Sequence, residues 1–185
     1  MKSWDSHIDH VYLLGIGGIG MSALARWFQS KGKHVSGYDK TATPLTDTLQ
    51  AEGIDIHFED DLAWIPEGVK AQKKRTLVVV TPAIPQDHQE LNYLKAAGYV
   101  LKKRAEVLGM ISQMYRTVAV GGTHGKTTTT TLLAWLIDQT RGNCTAFMGG
   151  LSVNYEGNLV LGEGLEADRL LIAEADEYDR SFLQL

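Results

Sequence analysis

Apolar residues along the chain alternate between two rhythms, and each change of rhythm is marked by glycine. Val11 to Leu14 is a continuous apolar run that empties into Gly15, Gly17 and Gly20, and a helical spacing through Leu24, Trp27 and Phe28 follows to a stop at Gly32. His34 to Tyr38 predicts a second strand. Thr43-Pro44 has the form of an N-cap with a first-turn proline, opening a helix that ends near Gly53. Asp55 to Phe58 is a short strand and Asp60 to Trp64 a helical turn. Thr76 to Thr81 (TLVVVT) is apolar almost throughout, which predicts an interior strand. A loop with Pro82 and Pro85, a helix from His88 to Ala97, a strand Tyr99 to Leu101 and a helix near Ala105 to Met114 complete the first series. The second opens with Thr117 to Val120 as a strand and a helix through Leu132, Leu133, Leu136 and Ile137. Strands near Asn143 to Met148 and Leu170 to Ala173 follow. Strand and helix alternation of this kind predicts an α/β chain: a Rossmann-like parallel-sheet domain, then part of a second α/β domain. No repeat or low-complexity linker separates the two. The predicted division is 1–115 and 116–185, with the boundary near Tyr115 to Arg116.

Two glycine loops carry the candidate chemistry. The stretch Thr117 to Thr131 reads TVAVGGTHGKTTTTT: strand, Gly121-Gly122, Thr123-His124, Gly125, Lys126-Thr127, helix. That order describes a phosphate-binding loop. Its glycines let the backbone aim N–H groups at phosphate oxygens, with the positive end of the helix behind them. Lys126 would neutralise the β- and γ-phosphates, Thr127 would ligate Mg²⁺, and Thr128 could bond the α-phosphate. The usual pattern has a glycine five places before the last one, where this chain has Val120, so the loop is a variant; a glycine-rich hairpin with a chance Lys-Thr is the plain alternative. The strand Leu170 to Ala173 runs abruptly into Glu174, Asp176, Glu177 and Asp179. A carboxylate at the end of a buried strand beside a phosphate loop is the usual second anchor for Mg²⁺, which singles out Glu174; a solvated acidic loop is the other reading.

The first loop, Gly15 to Ser22, fits G-x-G-x-x-G, and Asp39 stands 19 residues beyond Gly20, close to the ~20 expected for a ribose-binding carboxylate. It predicts a nucleotide diphosphate on a Rossmann-like turn, against the alternative that the glycines serve tight packing alone. Thr81 to Ile84 lies at a strand's carboxyl end, where ligands dock in open sheets. Lys102, Lys103 and Arg104 read as a solvated strand end.

Composition narrows the classes. With 185 residues and 44% hydrophobic content the chain can bury a core, and a net charge of −4, which no basic cluster overrides, argues against a nucleic-acid surface. Its apolar runs are too short to cross a bilayer, Met1 to His10 is polar rather than signal-like, and the single Cys144 in an apolar run suits packing in a cytoplasmic protein.

GIGGIGMS, RAEVL at Arg104 to Leu108, GTHGKTTTT and EADEYDRSF together resemble the Mur ligases of peptidoglycan synthesis. That resemblance implies a first domain holding the UDP part of a UDP-sugar and a central ATPase domain. Residues Gly17, Gly18, Ile19, Gly20, Met21 and Ser22 would wrap the diphosphate, and Asp39 would face the uridine. Thr81 and Ala83 fall where the family has Ser-Ser-Ala-Ile, with Thr81-Pro82 in place of both serines. Gly122, Thr123, Gly125, Lys126, Thr127 and Thr128 would hold ATP, with Thr127 and Glu174 on Mg²⁺ and His124 near the γ-phosphate; Lys126, His124 and Glu174 are the implied catalytic set. The implied substrates are UDP-N-acetylmuramic acid and L-alanine, joined through an acyl phosphate. Tyr178 stands where alanine-adding members usually have serine and is similar to tripeptide-recycling members, whereas GIGGIGMS looks like the alanine-adding type. About 60 residues follow Lys126, fewer than a nucleotide-binding domain usually occupies. The expectation is therefore an N-terminal fragment, inactive by itself, whose assembly is left open between monomer and homodimer. Two readings from other classes stand beside this one: a nicotinamide-dependent oxidoreductase, in which Lys126-Thr127 has no task, and a non-catalytic nucleotide- or UDP-sugar-binding module.

Overall fold

Strand β1 (His10–Leu14) is the middle of a five-stranded sheet, and its position organises the first half of the chain. The computed structural model describes residues 4–155, 157–162 and 169–175. They fall into two compact units, 1–104 and 105–185, which are described separately.

In the first unit, β1 is followed by α1 (Ile19–Ser30), β2 (His34–Tyr38), α2 (Pro44–Ala51), β3 (Asp55–His57), α3 (Glu67–Ala71), β4 (Thr76–Val80), α4 (Gln89–Ala96) and β5 (Val100–Lys103). A 3₁₀ turn, Leu62–Trp64, precedes α3. The strand order is β3-β2-β1-β4-β5 and every pairing is parallel. This is the doubly wound order, which reverses at β1 and opens a crevice at the carboxyl ends of the strands. The continuous apolar run of β4 is interior, as its composition predicts, with Leu77, Val78 and Val79 buried.

Helix α1 buries nearly its whole circumference, and Trp27 and Phe28 are fully enclosed with rings edge-to-face at 5.0 Å. Each such side chain contributes roughly 1.5–3 kcal/mol. Thr43 caps α2 as predicted: its hydroxyl accepts from Thr46 N–H, and in return the Thr46 hydroxyl oxygen accepts from Thr43 N–H.

The second unit contains α5 (Arg104–Ser112) apart from its first residue, Arg104, which belongs to the first unit, then β6 (Arg116–Val120), α6 (Lys126–Arg141), β7 (Cys144–Ser152), β8 (Gly157–Val160) and β9 (Leu170–Glu174). By packing, α5 counts with this unit, where sequence pattern puts it with the first. The sheet order is β6-β9-β7-β8, parallel except for the β7–β8 pair. Strand β7 runs on through Gly149-Gly150, beyond the predicted end at Met148, and its irregular pairing with β8 continues to Ser152. The core gathers Ala134, Cys144, Ala146, Met148, Val160 and Ile172. Burial pushes the Cys144 thiol up to about 11, which suits an inert packing role.

Candidate functional site

The two glycine loops stand at the carboxyl ends of β1 and β6. The first is built by hanging the loop on the end of β2. Gly15 and Ile16 donate their N–H groups to the Tyr38 carbonyl at 2.8 and 3.0 Å, and Gly17 N–H donates to Asp39 Oδ2 at 2.7 Å. The other Asp39 oxygen accepts from Thr41 N–H at 3.2 Å. The carboxylate read from the sequence as facing a nucleoside is thus also the tie that shapes the loop.

Glycine is needed here for space and, at Gly15 with φ 86°, for backbone conformation as well. A Cβ on Gly17 would meet Asp39 Oδ2 and Thr46 Cγ2, both at 2.8 Å, and one on Gly15 would run into the Thr81 side chain. Thr81 therefore bounds the loop through its methyl group, while Ala83 beside it is exposed. Gly18 is exposed, and a Cβ there would make only ordinary contacts, the nearest with the Gly15 carbonyl oxygen at 3.5 Å. Gly18 is also the extended N-cap residue of α1, with no capping side chain and no acidic residue in the first turn. A helix start of that kind favours an anion.

Ile19 and Gly20 begin the helix, and the Ser22 hydroxyl turns back onto the Ile19 carbonyl at 2.8 Å. Met21 is buried, so its side chain serves packing while its N–H closes on Gly18. Arg104 is the residue that sequence reasoning missed. Its guanidinium lies against Gly20, where a Cβ would collide with it. The signal was present in the basic Lys102-Lys103-Arg104 run at the carboxyl end of β5, but only the fold brings that end beside the loop.

The second loop is built differently. Gly121 through Gly125 are exposed, His124 and Thr123 among them. Gly125 caps α6 in the left-handed region at φ 75°, and Gly122 is at φ 145°. Both are conformations that disfavour a side chain. Lys126 starts α6 and folds its ammonium back onto the Gly122 carbonyl at 2.7 Å, which keeps the charge at the loop mouth. Thr128 is exposed on the same first turn.

Strand β9 supplies the partner. The register sets Val120 opposite Glu174, so Glu174 arrives where the loop begins. Its Oε2 accepts from the Thr127 hydroxyl at 3.2 Å, and its Oε1 accepts from Gly149 N–H at 2.7 Å. Any Cβ on Gly149 would strike that carboxylate, which explains a glycine inside β7. A hydroxyl and a carboxylate side by side are hard oxygen donors, and they fit Mg²⁺ held chiefly by phosphate oxygens and water. The described residues form no group of three His, Cys, Asp or Glu side chains able to hold a metal. Asp176, Glu177, Tyr178 and Asp179 lie outside the described residues. No described helix is long and apolar enough to cross a membrane.

A family model, "Mur ligase family, catalytic domain", matches residues 10–116. A UDP-N-acetylmuramate–L-alanine ligase of Cytophaga hutchinsonii is 49% identical over 180 residues, 97% of this chain and 38% of that protein. One from Porphyromonas gingivalis is 54% identical over 178 residues, again 38% of its length. Among solved structures, UDP-N-acetylmuramate:L-alanyl-gamma-D-glutamyl-meso-diaminopimelate ligase from Neisseria meningitides superposes with a TM-score of 0.81 at 26% identity. It is covered over 94% of this chain and 54% of that one. UDP-N-acetylmuramate-alanine ligase from Thermotoga maritima gives 0.74 at 30% identity, over 91% and 37%. The chain thus spans under two-fifths of the length of these curated relatives. With both glycine loops in place and nearly all of its length matched, the chain belongs to the Mur ligase family.

Proposed function

We propose that the first unit holds the diphosphate and uridine of a UDP-sugar and the second holds Mg-ATP. In a polypeptide of the relatives' length, the two would serve the ATP-dependent joining of L-alanine to UDP-N-acetylmuramic acid. The observation that carries the ATP half is the pairing of Thr127 with Glu174 beside Lys126, three groups from two elements at one loop mouth. The choice of substrates is supported by the names of relatives close to half identical over almost the whole chain.

At the second loop, the backbone of Gly122, Thr123, Gly125 and Lys126 and the hydroxyl of Thr128 would cradle the phosphates, with His124 near the last of them. Mg²⁺, held by Thr127 and Glu174, would neutralise charge on the phosphate oxygens. The substrate's carboxylate oxygen attacks the γ-phosphorus and ADP leaves; the alanine nitrogen then attacks the acyl carbon, loses a proton, and inorganic phosphate leaves. Lys126 contributes by facing the transferring group with a fixed positive charge, a chiefly electrostatic and positional role. At the first loop Gly17 to Ser22 would wrap the diphosphate, with Arg104 adding charge, Asp39 toward the uridine, and Thr81 and Ala83 at the rim.

A second reading is supported by Tyr178 and by a structural match, higher than that to the Thermotoga maritima enzyme, to a UDP-N-acetylmuramate:L-alanyl-gamma-D-glutamyl-meso-diaminopimelate ligase. Supplying L-alanine or that tripeptide to the longer polypeptide, with Mg-ATP and UDP-N-acetylmuramic acid, decides between them by which one drives phosphate release. For the 185-residue chain the proposal is binding without turnover. Calorimetry should show separate saturable binding of UDP-N-acetylmuramic acid and Mg-ATP; binding of NADH with no response to either would overturn it.

A further inference from the structure

The first glycine loop is suspended from Tyr38-Asp39, and those two residues rest on a buried polar cluster that no step of the proposed reaction uses. Cross-strand register sets Leu14, Tyr38 and His57 side by side on one face of the sheet, with Tyr12 one row behind. Into this face points Glu90, from the first turn of α4, with 0% of its surface exposed. Its Oε2 accepts from the Tyr12 hydroxyl at 2.6 Å, and its Oε1 lies 2.7 Å from His57 Nε2. Burial and the Glu90 carboxyl both push the Tyr12 hydroxyl well above its ordinary range, so it stays a donor. The start of α4 is fixed in turn by Asp60, which accepts from the N–H groups of Gln89 and Glu90 at 2.9 and 3.1 Å.

A buried acidic group is costly, and replacing such a group by apolar residues of similar size is often neutral or stabilising. Stability is thus a weak reason to keep such a cluster, and what it touches points to its role. The His57 carbonyl accepts from Asp39 N–H at 3.1 Å, and the Tyr38 ring packs on the His57 ring at 5.7 Å and edge-on to His88 at 4.5 Å. Tyr38 supplies the carbonyl that holds Gly15 and Ile16, and Asp39 supplies the oxygen that holds Gly17. The path from Glu90 to the loop runs through His57 and then through the backbone of residues 38 and 39, without a gap.

We propose that Glu90, with Tyr12 and His57, is a positioning group for the first glycine loop: it fixes the end of β2, from which the loop's N–H groups are set for a diphosphate. Only the affinity arm of the test below rests on the UDP-sugar reading; the positioning itself does not.

The test is amide hydrogen exchange on the 185-residue chain, read at Gly15, Ile16 and Gly17 in wild type, Tyr12→Phe/Glu90→Leu and Glu90→Gln. The double substitution removes the acid and one donor together, leaving His57 at the partly exposed edge of the cluster. Local opening sets these exchange rates, and the loop amides should exchange at least about tenfold faster in the double variant while Val11 and Val78 in the sheet keep their rates. Glu90→Gln retains one acceptor and one donor at the same positions and should restore loop rates to within about threefold of wild type. UDP-N-acetylmuramic acid affinity should fall with loop protection and return with the Gln variant.

Unchanged loop exchange in the folded double variant would overturn the proposal. Equal acceleration of loop and sheet amides would do the same, because it would reduce the cluster to general stability. Faster loop exchange with unchanged nucleotide-sugar affinity would leave the positioning standing and remove the UDP-sugar reading instead. Should the double variant not fold, Tyr12→Phe alone is read at the same amides, and wild-type rates there overturn the proposal.

Discussion

The two glycine loops share an order of elements, and each has a glycine at positive φ (Gly15, Gly125), but they differ in how closely side chains crowd their glycines. In the first, side chains crowd in: Asp39 and Thr46 stand 2.8 Å from where a Cβ on Gly17 would be, and Thr81 fills the space beside Gly15. In the second, nothing lies within 4 Å of a Cβ at Gly121 or Gly125. There the requirement is backbone conformation, with Gly125 left-handed at the start of α6. The first loop is thus assembled by the protein, three of its N–H groups held by residues 38 and 39. The second is an exposed turn whose partners are Lys126 on Gly122 and Thr127 on Glu174, contacts that phosphate and a cation would replace. A loop of the first kind presents a fixed receptor.

The sharpest way to separate the loops is Lys126→Ala in a polypeptide of the relatives' length. Removing the charge that we propose faces the transferring group should lower ligation on the order of 100-fold or more. UDP-N-acetylmuramic acid affinity should stay near wild type, since that ligand is assigned to the other loop. Near-wild-type turnover would show that the second loop is not catalytic.

Next in size is a contrast within the first loop. Gly18 is exposed, has an extended backbone and would meet only ordinary contacts, so Gly18→Val should cost no more than about 1 kcal/mol in unfolding, the effect of a poorer N-cap, and at least about tenfold in nucleotide-sugar affinity, equivalent to ~1.4 kcal/mol. Gly17→Ala should instead destabilise the first unit by about 1–3 kcal/mol, the usual range for overpacking, as read by urea unfolding. If both changes act only on stability, the space at Gly18 is not a ligand's space.

The comparison predicts a smaller effect at Gly125. A non-glycine residue held in the left-handed region costs roughly 1–2 kcal/mol, so Gly125→Ala should destabilise the second unit through backbone strain rather than a clash. A cost well above that would mean that close packing, and not φ, demands the glycine. The least expected change is chemical. Cys144 is buried and its thiol is pushed up to about 11, so an alkylating reagent at neutral pH should label it only after denaturation. Prompt labelling of the native chain would contradict its place in the core.

Sequence pattern was most legible where the chain alternates apolar runs with glycine stops. The five parallel strands around β1, the Thr43 cap and the helix behind Lys126 follow from local spacing and cap chemistry. Strand β8 was not legible: Gly157 to Val160 is four residues long, and only antiparallel pairing with β7 makes it a strand. In α6 the apolar positions predict a buried stripe, yet Leu132 and Leu136 are among its exposed residues, while Ala134 is buried in the core. Periodicity gives the helix but not which face meets the sheet.

The same limit applies to the sites. Lys126, Thr127 and Glu174 could be chosen because loop and strand end each have a local signature. Arg104 beside Gly20, Gly149 under Glu174 and Asp39 bonded to Gly17 depend on register and strand order, which no local spacing encodes.

The central claim is that one chain carries two nucleotide sites of different kinds. The most direct measurement is calorimetric titration of UDP-N-acetylmuramic acid into wild type, Gly18→Val and Lys126→Ala forms of the 185-residue chain, each repeated with Mg-ATP. The account predicts that Gly18→Val loses the nucleotide sugar and keeps ATP, and that Lys126→Ala weakens ATP and keeps the nucleotide sugar. Loss of both ligands on either substitution with the fold intact, or a preference of the first loop for NADH, would contradict it.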